Sequence, residues 1–101
     1  MHDIRLSHTA ALILKALSLG HCFGFDIMEI TGLPSGTVYP ALRRLERDEL
    51  VESKWEPEED ATANQRPARR YYKVTKQGKA AAIAATQRYP LLASLAAGKR
   101  S

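Results

Sequence analysis

The segment that most constrains the fold is residues 32–50, which read GLPSGTVYPALRRLERDEL. Successive residues of an α-helix are about 100° apart, so Val38, Leu42 and Leu45 fall on one side and form an apolar face. Arg47 falls on the opposite side, beside two further arginines. The segment therefore predicts a helix that buries one face in a core and leaves a basic face exposed to solvent.

The exposed side of this helix has groups that suit a DNA major groove. Gly36 permits close approach of the backbone, and the free N–H groups of a helix start attract phosphate. Hydroxyl groups can donate to phosphates or base edges, and one arginine can donate two hydrogen bonds to a guanine. Pro40 is tolerated if it lies within about the first turn, where backbone N–H groups lack a helical partner. The DNA contacts expected on this helix are Ser35, Gly36, Thr37, Tyr39, Arg43, Arg44 and Arg47.

Two helices precede this one in the sequence. Ser7 is a favourable N-cap for a helix over residues 7–19, and Gly20 stands where a glycine commonly ends a helix. Residues 23–31 predict a second, shorter helix that ends before a tight turn. Ser35 is expected to cap the third helix.

The C-terminal half predicts a hairpin and a last helix. Residues 51–56 alternate apolar and polar side chains, and residues 69–75 are rich in aromatic and β-branched types, so both segments favour strands. Between them, residues 56–68 are polar, contain two prolines and are expected to form an exposed loop. Thr75 is expected to cap an alanine-rich helix, which Pro90 must kink or restart.

Charge is distributed unevenly along the chain, whose formal net charge is +4. Residues 1–60 hold six lysines and arginines against eleven acidic residues, a net charge of −5. Residues 61–101 hold nine basic residues and no acid, a net charge of +9. This asymmetry favours a polyanionic partner on one face. The ordinary interpretations are a basic tail that aids solubility and a solvated arginine face on the third helix.

Several classes of protein are disfavoured by what the sequence lacks. A chain of 101 residues predicts one domain, and no apolar run approaches the roughly 18 residues of a membrane span. The first residues lack the layout of a signal peptide, and the single cysteine, Cys22, fits a reducing cytoplasm. No catalytic motif, cofactor motif or metal-ligand spacing is present. The expected protein is therefore cytoplasmic and not an enzyme, with no cofactor, no metal and no membrane partner.

Two stretches of the sequence are long and unusual: GFDIMEITGLPSGTVYPALRRLERDELVESKWE and, after it, QRPARRYYKVTKQGKAA. Through them the chain resembles the PadR-like winged-helix transcriptional regulators over roughly residues 12–82. The resemblance implies a mainly α fold with a small β-hairpin, a winged helix-turn-helix followed by a C-terminal dimerisation helix. It also implies a homodimeric repressor that binds a double-stranded DNA operator, with the third helix in the major groove and the hairpin as a wing on the backbone or minor groove.

The resemblance also implies wing residues and a division of the chain. Residues 1–75 are expected to form the DNA-binding domain, and residues 76–101 the dimerisation helix. The alanine-rich residues 80–85 and nearby large apolar side chains are expected to pack against the partner, on its first helix. The wing residues expected at the DNA are Arg66, Arg69, Arg70 and Lys73, and the expected dimer contacts are Leu12, Ile83, Leu91, Leu92 and Leu95.

The chain departs from the family pattern near the third helix and near the wing. The family often has glycine where this chain has Glu49 and, before the Arg-Pro pair, Gln65. The acidic run in residues 56–60 would repel a phosphate backbone. It is therefore expected to point away from DNA, with Arg66 on the other side of the loop approaching the DNA.

Two other classes of function stay open at this point. One is a winged-helix module that binds a protein, which an exposed apolar face on the third helix would favour. The other is a small-molecule-binding protein that uses the dimer interface, which tight ligand binding without DNA affinity would favour. A small-molecule effector of unknown identity is also left open.

Overall fold

The structure is a computed structural model that describes residues 6–65 and 67–90. As predicted, this part of the chain is mainly helical with one small antiparallel hairpin. No helix among the described residues is long and apolar enough to cross a membrane. In chain order the elements are α1 (His8–Ser18), α2 (Gly24–Thr31), α3 (Ser35–Arg47), β1 (Val51–Trp55), α4 (Glu58–Ala63), β2 (Arg70–Val74) and α5 (Lys76–Arg88).

Helix α1 lies at the centre of the core and packs against α2, α3, α5 and β2. Ser7 caps it as predicted, because its side-chain oxygen accepts from the Ala10 N–H at 3.1 Å. Ile13 and Leu14 are fully buried, and burial of one such side chain stabilises a fold by about 1.5–3 kcal/mol. Because α1 is buried on several sides, its side chains determine how the surrounding elements sit.

A tight turn connects α2 to α3. Gly32 ends α2 with φ = 76°, a conformation that favours glycine. The Thr31 hydroxyl donates to the Ile27 carbonyl at 2.6 Å and accepts from the Leu33 N–H at 3.2 Å. These bonds tie the turn to the end of α2, so α3 leaves it in a defined direction.

The cap of α3 differs from the prediction. Pro34, and not Ser35, is the N-cap residue, and no side chain in the described part of the structure makes a capping hydrogen bond to it. Pro34 has extended backbone angles, and its carbonyl accepts from the N–H groups of Thr37 and Val38, both at 3.0 Å. Ser35 is therefore the first helical residue.

Proline occurs deeper in α3 than the sequence argument allows. Pro40 occupies the sixth position of the helix. A proline there has no N–H to donate, so the carbonyl of Gly36, four residues earlier, lacks its usual hydrogen bond within the helix. Gly36 is exposed, so water can reach that carbonyl. Helix α3 continues to its end because its later turns bury Leu42 and Leu45.

The wing is the hairpin of β1 and β2 with the connection between them, residues 51–74. Its inner face packs on the core through Val51, Tyr72 and Val74, which are buried. The Tyr72 N–H donates to the Cys22 carbonyl at 2.8 Å, so the segment before α2 is hydrogen-bonded to the edge of β2. The base of the wing is thus attached to the helices on two sides.

The connection between the strands contains a helix. The sequence predicts an exposed loop over residues 56–68, but α4 forms there, with Pro57 as its N-cap residue. Three acidic residues occupy its first turn, where the positive end of the helix dipole stabilises them. Ala61 is only 3% exposed, so the helix is packed and not free in solvent. Periodicity misses such a helix because six residues make fewer than two turns.

Helix α5 begins beside the end of α3. Thr75 caps it as predicted, since its hydroxyl accepts from the Gly78 N–H at 3.0 Å and also donates to the Glu49 carbonyl at 2.7 Å. A Cβ at Gly78 would collide with the Leu50 carbonyl. The start of α5 therefore lies as close to the chain before β1 as a backbone without a side chain permits.

The alanine stretch of α5 is divided between the core and the surface. Ala82 and Ala85 are buried within the same chain, where α5 packs on α1. The expectation that residues 80–85 pack against a partner is therefore wrong for these two. Ile83 is exposed at 65%. The expected dimer contacts Leu91, Leu92 and Leu95 lie outside the described residues, as does any helix after residue 90.

Two non-glycine residues in the described ranges, Glu49 and Gln65, have positive φ, 64° and 56°. These are the two positions where the family pattern often has glycine. An L-residue in this conformation costs about 1–2 kcal/mol, which glycine avoids at the expense of greater freedom in the unfolded chain.

We expect Glu49→Gly to raise the free energy of unfolding by about 0.5–1 kcal/mol in urea denaturation. Glu49→Ala is the control, since it also removes the carboxylate but keeps the Cβ; equal stabilisation by both variants would contradict the explanation.

Candidate nucleic-acid interface

The two faces of α3 are separated as the sequence predicts. The apolar side is buried, with Val38, Leu42 and Leu45 between 0% and 2% exposed. The three arginines of the helix are exposed. Because the core holds the helix by one side only, the basic side is available to a partner.

The first turn of α3 presents small residues to solvent. Ser35 and Gly36 are exposed, and Thr37 is half-buried. A Cβ built at Gly36 would have no atom within 4 Å. Packing among residues 6–65 and 67–90 therefore does not require glycine at this position, although glycine weakens a helix by about 1 kcal/mol relative to alanine.

Tyr39 packs across the start of α2. A Cβ at Gly24 would overlap the Tyr39 ring, so the absence of a side chain at Gly24 is what admits the ring. Tyr39 remains partly exposed. It therefore packs between α2 and α3 and also leaves part of its side chain exposed on the α3 surface.

A cleft of about 390 Å³ separates α3 from the inner face of the wing, and is called here the α3–wing cleft. Burial raises the pKa of the Tyr72 hydroxyl in this cleft, and the opposing field of Arg70 lowers it by less. That hydroxyl therefore stays protonated at neutral pH and can donate a hydrogen bond. The residues lining the cleft are Tyr39, Arg43, Glu46, Arg47, Arg70 and Tyr72.

Arg70 is held in this cleft by a network that connects three elements. It donates to Ser53 Oγ from Nε at 3.0 Å and from Nη2 at 2.7 Å. The Ser53 hydroxyl donates in turn to Glu46 Oε2 at 2.7 Å, and Arg70 Nη2 lies 3.6 Å from Glu46 Oε1. The sequence pattern alone predicts no role for Ser53 or Glu46. The alternation of the strands could have placed Ser53 and Arg70 on one face, but only the packing of the wing on α3 brings Glu46 to them.

Arg69 has different surroundings from Arg70. Its guanidinium carbon lies 3.8 Å from the centre of the Phe23 ring, and that ring meets Tyr71 edge to face. Lys73 is exposed on the outer face of β2, opposite Glu52. These three wing cations therefore point in different directions, with Arg70 towards α3 and Arg69 and Lys73 away from it.

Arg44 borders a separate groove of about 270 Å³ between α3 and the start of α1, away from the α3–wing cleft. Arg66 lies outside the described residues. The acidic residues near the wing tip, Glu58, Glu59 and Asp60, are exposed in the first turn of α4. In residues 6–65 and 67–90, no group of three or more His, Cys, Asp or Glu side chains could hold a metal ion.

Three helices followed by a hairpin, with a basic helix exposed beside that hairpin, define a winged-helix DNA-binding regulator. The model of the transcriptional regulator PadR-like family matches residues 13–84. The chain belongs to this family, as its sequence motifs indicate. Among curated protein sequences, none matches the chain.

Solved structures show the same fold. A PadR family transcription regulator from Clostridium difficile R20291 is 26% identical with a TM-score of 0.72, covering 88% of this chain and 94% of its own. A PadR-like transcription factor from Bacteroides fragilis is 26% identical with a TM-score of 0.66, covering 84% and 82%. Bordetella bronchiseptica BpsR, whose DNA binding is regulated by 6-hydroxynicotinic acid, is 22% identical with a TM-score of 0.70, covering 99% and 72%. At this identity BpsR shows a likeness of fold alone.

The division of α3 into a buried and an exposed face predicts different effects on stability. Leu45→Ala should lower the free energy of unfolding by about 2–5 kcal/mol, because it leaves a cavity in the core. Arg43→Ala should change it by about 0.5 kcal/mol or less, as an exposed substitution. Thermal melting of both variants measures this. A large loss for Arg43→Ala with none for Leu45→Ala would mean that the faces are assigned backwards.

Proposed function

We propose that this chain is a homodimeric transcriptional repressor that inserts α3 into the major groove of an operator and lays its wing along the phosphate backbone. The observation that supports this most strongly is the α3–wing cleft, where Arg43 and Arg47 of the helix and Arg70 of the wing line one exposed surface. Guanidinium groups are the preferred partners of guanine edges and phosphates. A dimer bound at an operator would repress by occupying it.

The first turn of α3 would lie closest to the DNA. The hydroxyl groups of Ser35 and Thr37 are able to donate to phosphates or bases, and Gly36 permits close backbone approach. Arg43 and Arg47 follow Gly36 about two and three helical turns later, so they lie on the same side of the helix. Arg44 borders the groove next to α1 and is proposed as a contact at the margin of the interface.

The wing would follow the backbone and not enter the minor groove. Helix α4 makes its tip bulky, and the three acidic residues of its first turn are exposed. A narrow minor groove has enhanced negative potential, so it would repel such a tip. The outward-facing cations, Arg69 and Lys73, are proposed to meet phosphates along the strand, together with Arg66.

Selection of bound fragments from genomic DNA tests this function and would supply the operator. The selected duplex should bind with an affinity that falls steeply between about 50 and 200 mM salt, because arginines and lysines displace condensed counterions. A random-sequence duplex of the same length is the control. Failure to enrich any sequence, or a flat salt dependence, would contradict the proposal.

Gly36→Ala separates DNA binding from folding more sharply than removal of an arginine. The added methyl meets no atom of the described residues, so it should raise the free energy of unfolding by about 0.5–1 kcal/mol. The same methyl would stand between α3 and the DNA, and should weaken binding to the selected duplex about tenfold, which is roughly 1.4 kcal/mol. Opposite signs in melting and in binding would exclude misfolding as the cause. Unchanged affinity would place the start of α3 away from DNA.

The dimer is proposed to form through α1 and α5, which lie side by side. Ile83 of α5 is a large apolar side chain exposed at 65%, and Leu12 of α1 is half-buried. Exposed apolar groups of this kind favour burial against a second copy of the chain. Leu91, Leu92 and Leu95 are proposed to extend the same surface.

Ile83→Glu should convert dimers to monomers, because it would bury an unpaired carboxylate at the interface. Sedimentation measures the change. Phe25→Glu is the matched control, since Phe25 is similarly exposed at 61% but lies on α2. Deletion of α5 is a poorer test, because Ala82 belongs to the core and its loss would destabilise the monomer itself. A dimer that survives Ile83→Glu would refute this interface.

A further inference from the structure

The cations of the proposed DNA surface differ in how firmly the protein holds them. The side chain of Arg70 is 44% exposed and forks onto Ser53, while that of Arg47 is 70% exposed and lies 3.5 Å from Asp48, its neighbour in sequence. The partners of Arg70 come from two other elements, β1 and α3. Its guanidinium is therefore oriented by the tertiary structure before any partner binds.

The Ser53 hydroxyl is the junction of the network. As an acceptor it receives two N–H groups of Arg70, and as a donor it satisfies one oxygen of Glu46. A hydroxyl has one hydrogen to donate, so the acceptor on α3 decides which way it points. Glu46 thus orients Ser53, and Ser53 orients Arg70.

The charge of Glu46 has a second effect. Three guanidinium groups line the cleft, and they repel one another when no anion is present. The carboxylate of Glu46, 3.6 Å from Arg70, offsets part of that repulsion in the free protein. An acidic residue on a DNA-facing helix would otherwise only weaken the binding of phosphate.

We infer that Glu46 is a positioning residue of the DNA interface: acting through Ser53, it holds Arg70 in the one orientation that reaches a backbone phosphate beside the groove entered by α3. This inference rests on the proposed function. Phosphate contacts do not read bases, but they fix the register of a protein on the duplex. A fixed cation meets its phosphate only when α3 is aligned with its bases, whereas an exposed lysine on a flexible stem, such as Lys73, can follow the phosphates of any duplex.

The inference predicts that variants of the network lose specificity and not general affinity. Ser53→Ala keeps every charge but removes the hydroxyl that connects Arg70 to Glu46. Arg70→Lys keeps the positive charge but loses the planar guanidinium that donates two hydrogen bonds to Ser53. Each should weaken binding to the duplex selected by the wild-type protein about three- to tenfold, the effect of one or two net hydrogen bonds. Binding to a random-sequence duplex of the same length should change by less than about twofold, because the charge is conserved. Lys73→Ala is the contrasting control, and should weaken both duplexes alike and reduce the salt slope by about one.

A spectroscopic measurement tests the positioning without DNA. The Nε–H of Arg70, assigned by its loss in Arg70→Lys, should exchange slowly with water in the wild-type protein because it is bonded to Ser53. The exchange should be fast in Ser53→Ala. It should also be faster in Glu46→Asp, whose shorter carboxylate no longer reaches the Ser53 hydroxyl. Glu46→Gln, which keeps the length and an acceptor oxygen, should restore slow exchange relative to Glu46→Asp.

The possible failures are distinguishable. If the wild-type protein prefers the selected duplex and Ser53→Ala weakens both duplexes equally, Arg70 is an ordinary phosphate contact and the inference is wrong. Fast exchange of the Arg70 Nε–H in the wild-type protein would also overturn it. If the wild-type protein binds no duplex with preference, it is the proposed function that fails, whatever the exchange rates show.

Discussion

Burial of the apolar side of α3 against α1 is the interaction on which the rest of the structure depends. Val38, Leu42 and Leu45 share one cluster with Ile13 and Leu14 of α1, and all five are at most 2% exposed. Burial of this kind is non-directional, so it fixes which side of α3 faces inward but not what the other side does. The outward side is free to carry charge, so the arginines of α3 can be exposed without any rearrangement of the core.

Three glycines, one each in α2, α3 and α5, differ in whether packing within the chain explains the lack of a side chain. At Gly24 an added side chain would meet the Tyr39 ring, and at Gly78 it would meet the chain before β1. Both glycines are explained by packing within the chain. Gly36 has open space around it and weakens its helix. Because packing does not require this loss of helix stability, the loss agrees with a role for Gly36 outside the folded monomer. The proposed contact with DNA is such a role.

Much of the fold could be predicted from the sequence, because its helices have strong periodicity and clear caps. Ser7 and Thr75 cap as predicted, and the faces of α3 are correct. Short-range patterns could not reveal α4, which is too short for periodicity, or the division of the alanine stretch in α5, which depends on how closely Gly78 lets that helix approach. The candidate site was predictable as a set of exposed cations. The hydrogen-bond network within the site was not predictable, since it joins Glu46, Ser53 and Arg70, which lie far apart in sequence.

The opposed directions of Arg69 and Arg70 follow from a constraint that any wing shares. Adjacent residues of a strand face opposite sides, so two neighbouring arginines cannot both face α3. The charge of Arg70, on the inner face of β2, is offset by Glu46, while Arg69, which immediately precedes β2, lies over the Phe23 ring. An aromatic face attracts a cation without neutralising it, and a carboxylate neutralises it in part. The wing therefore carries one cation whose charge is compensated and whose direction is fixed, and one whose charge remains available. In the proposed complex with DNA, that pairing would supply both alignment and attraction from two adjacent residues.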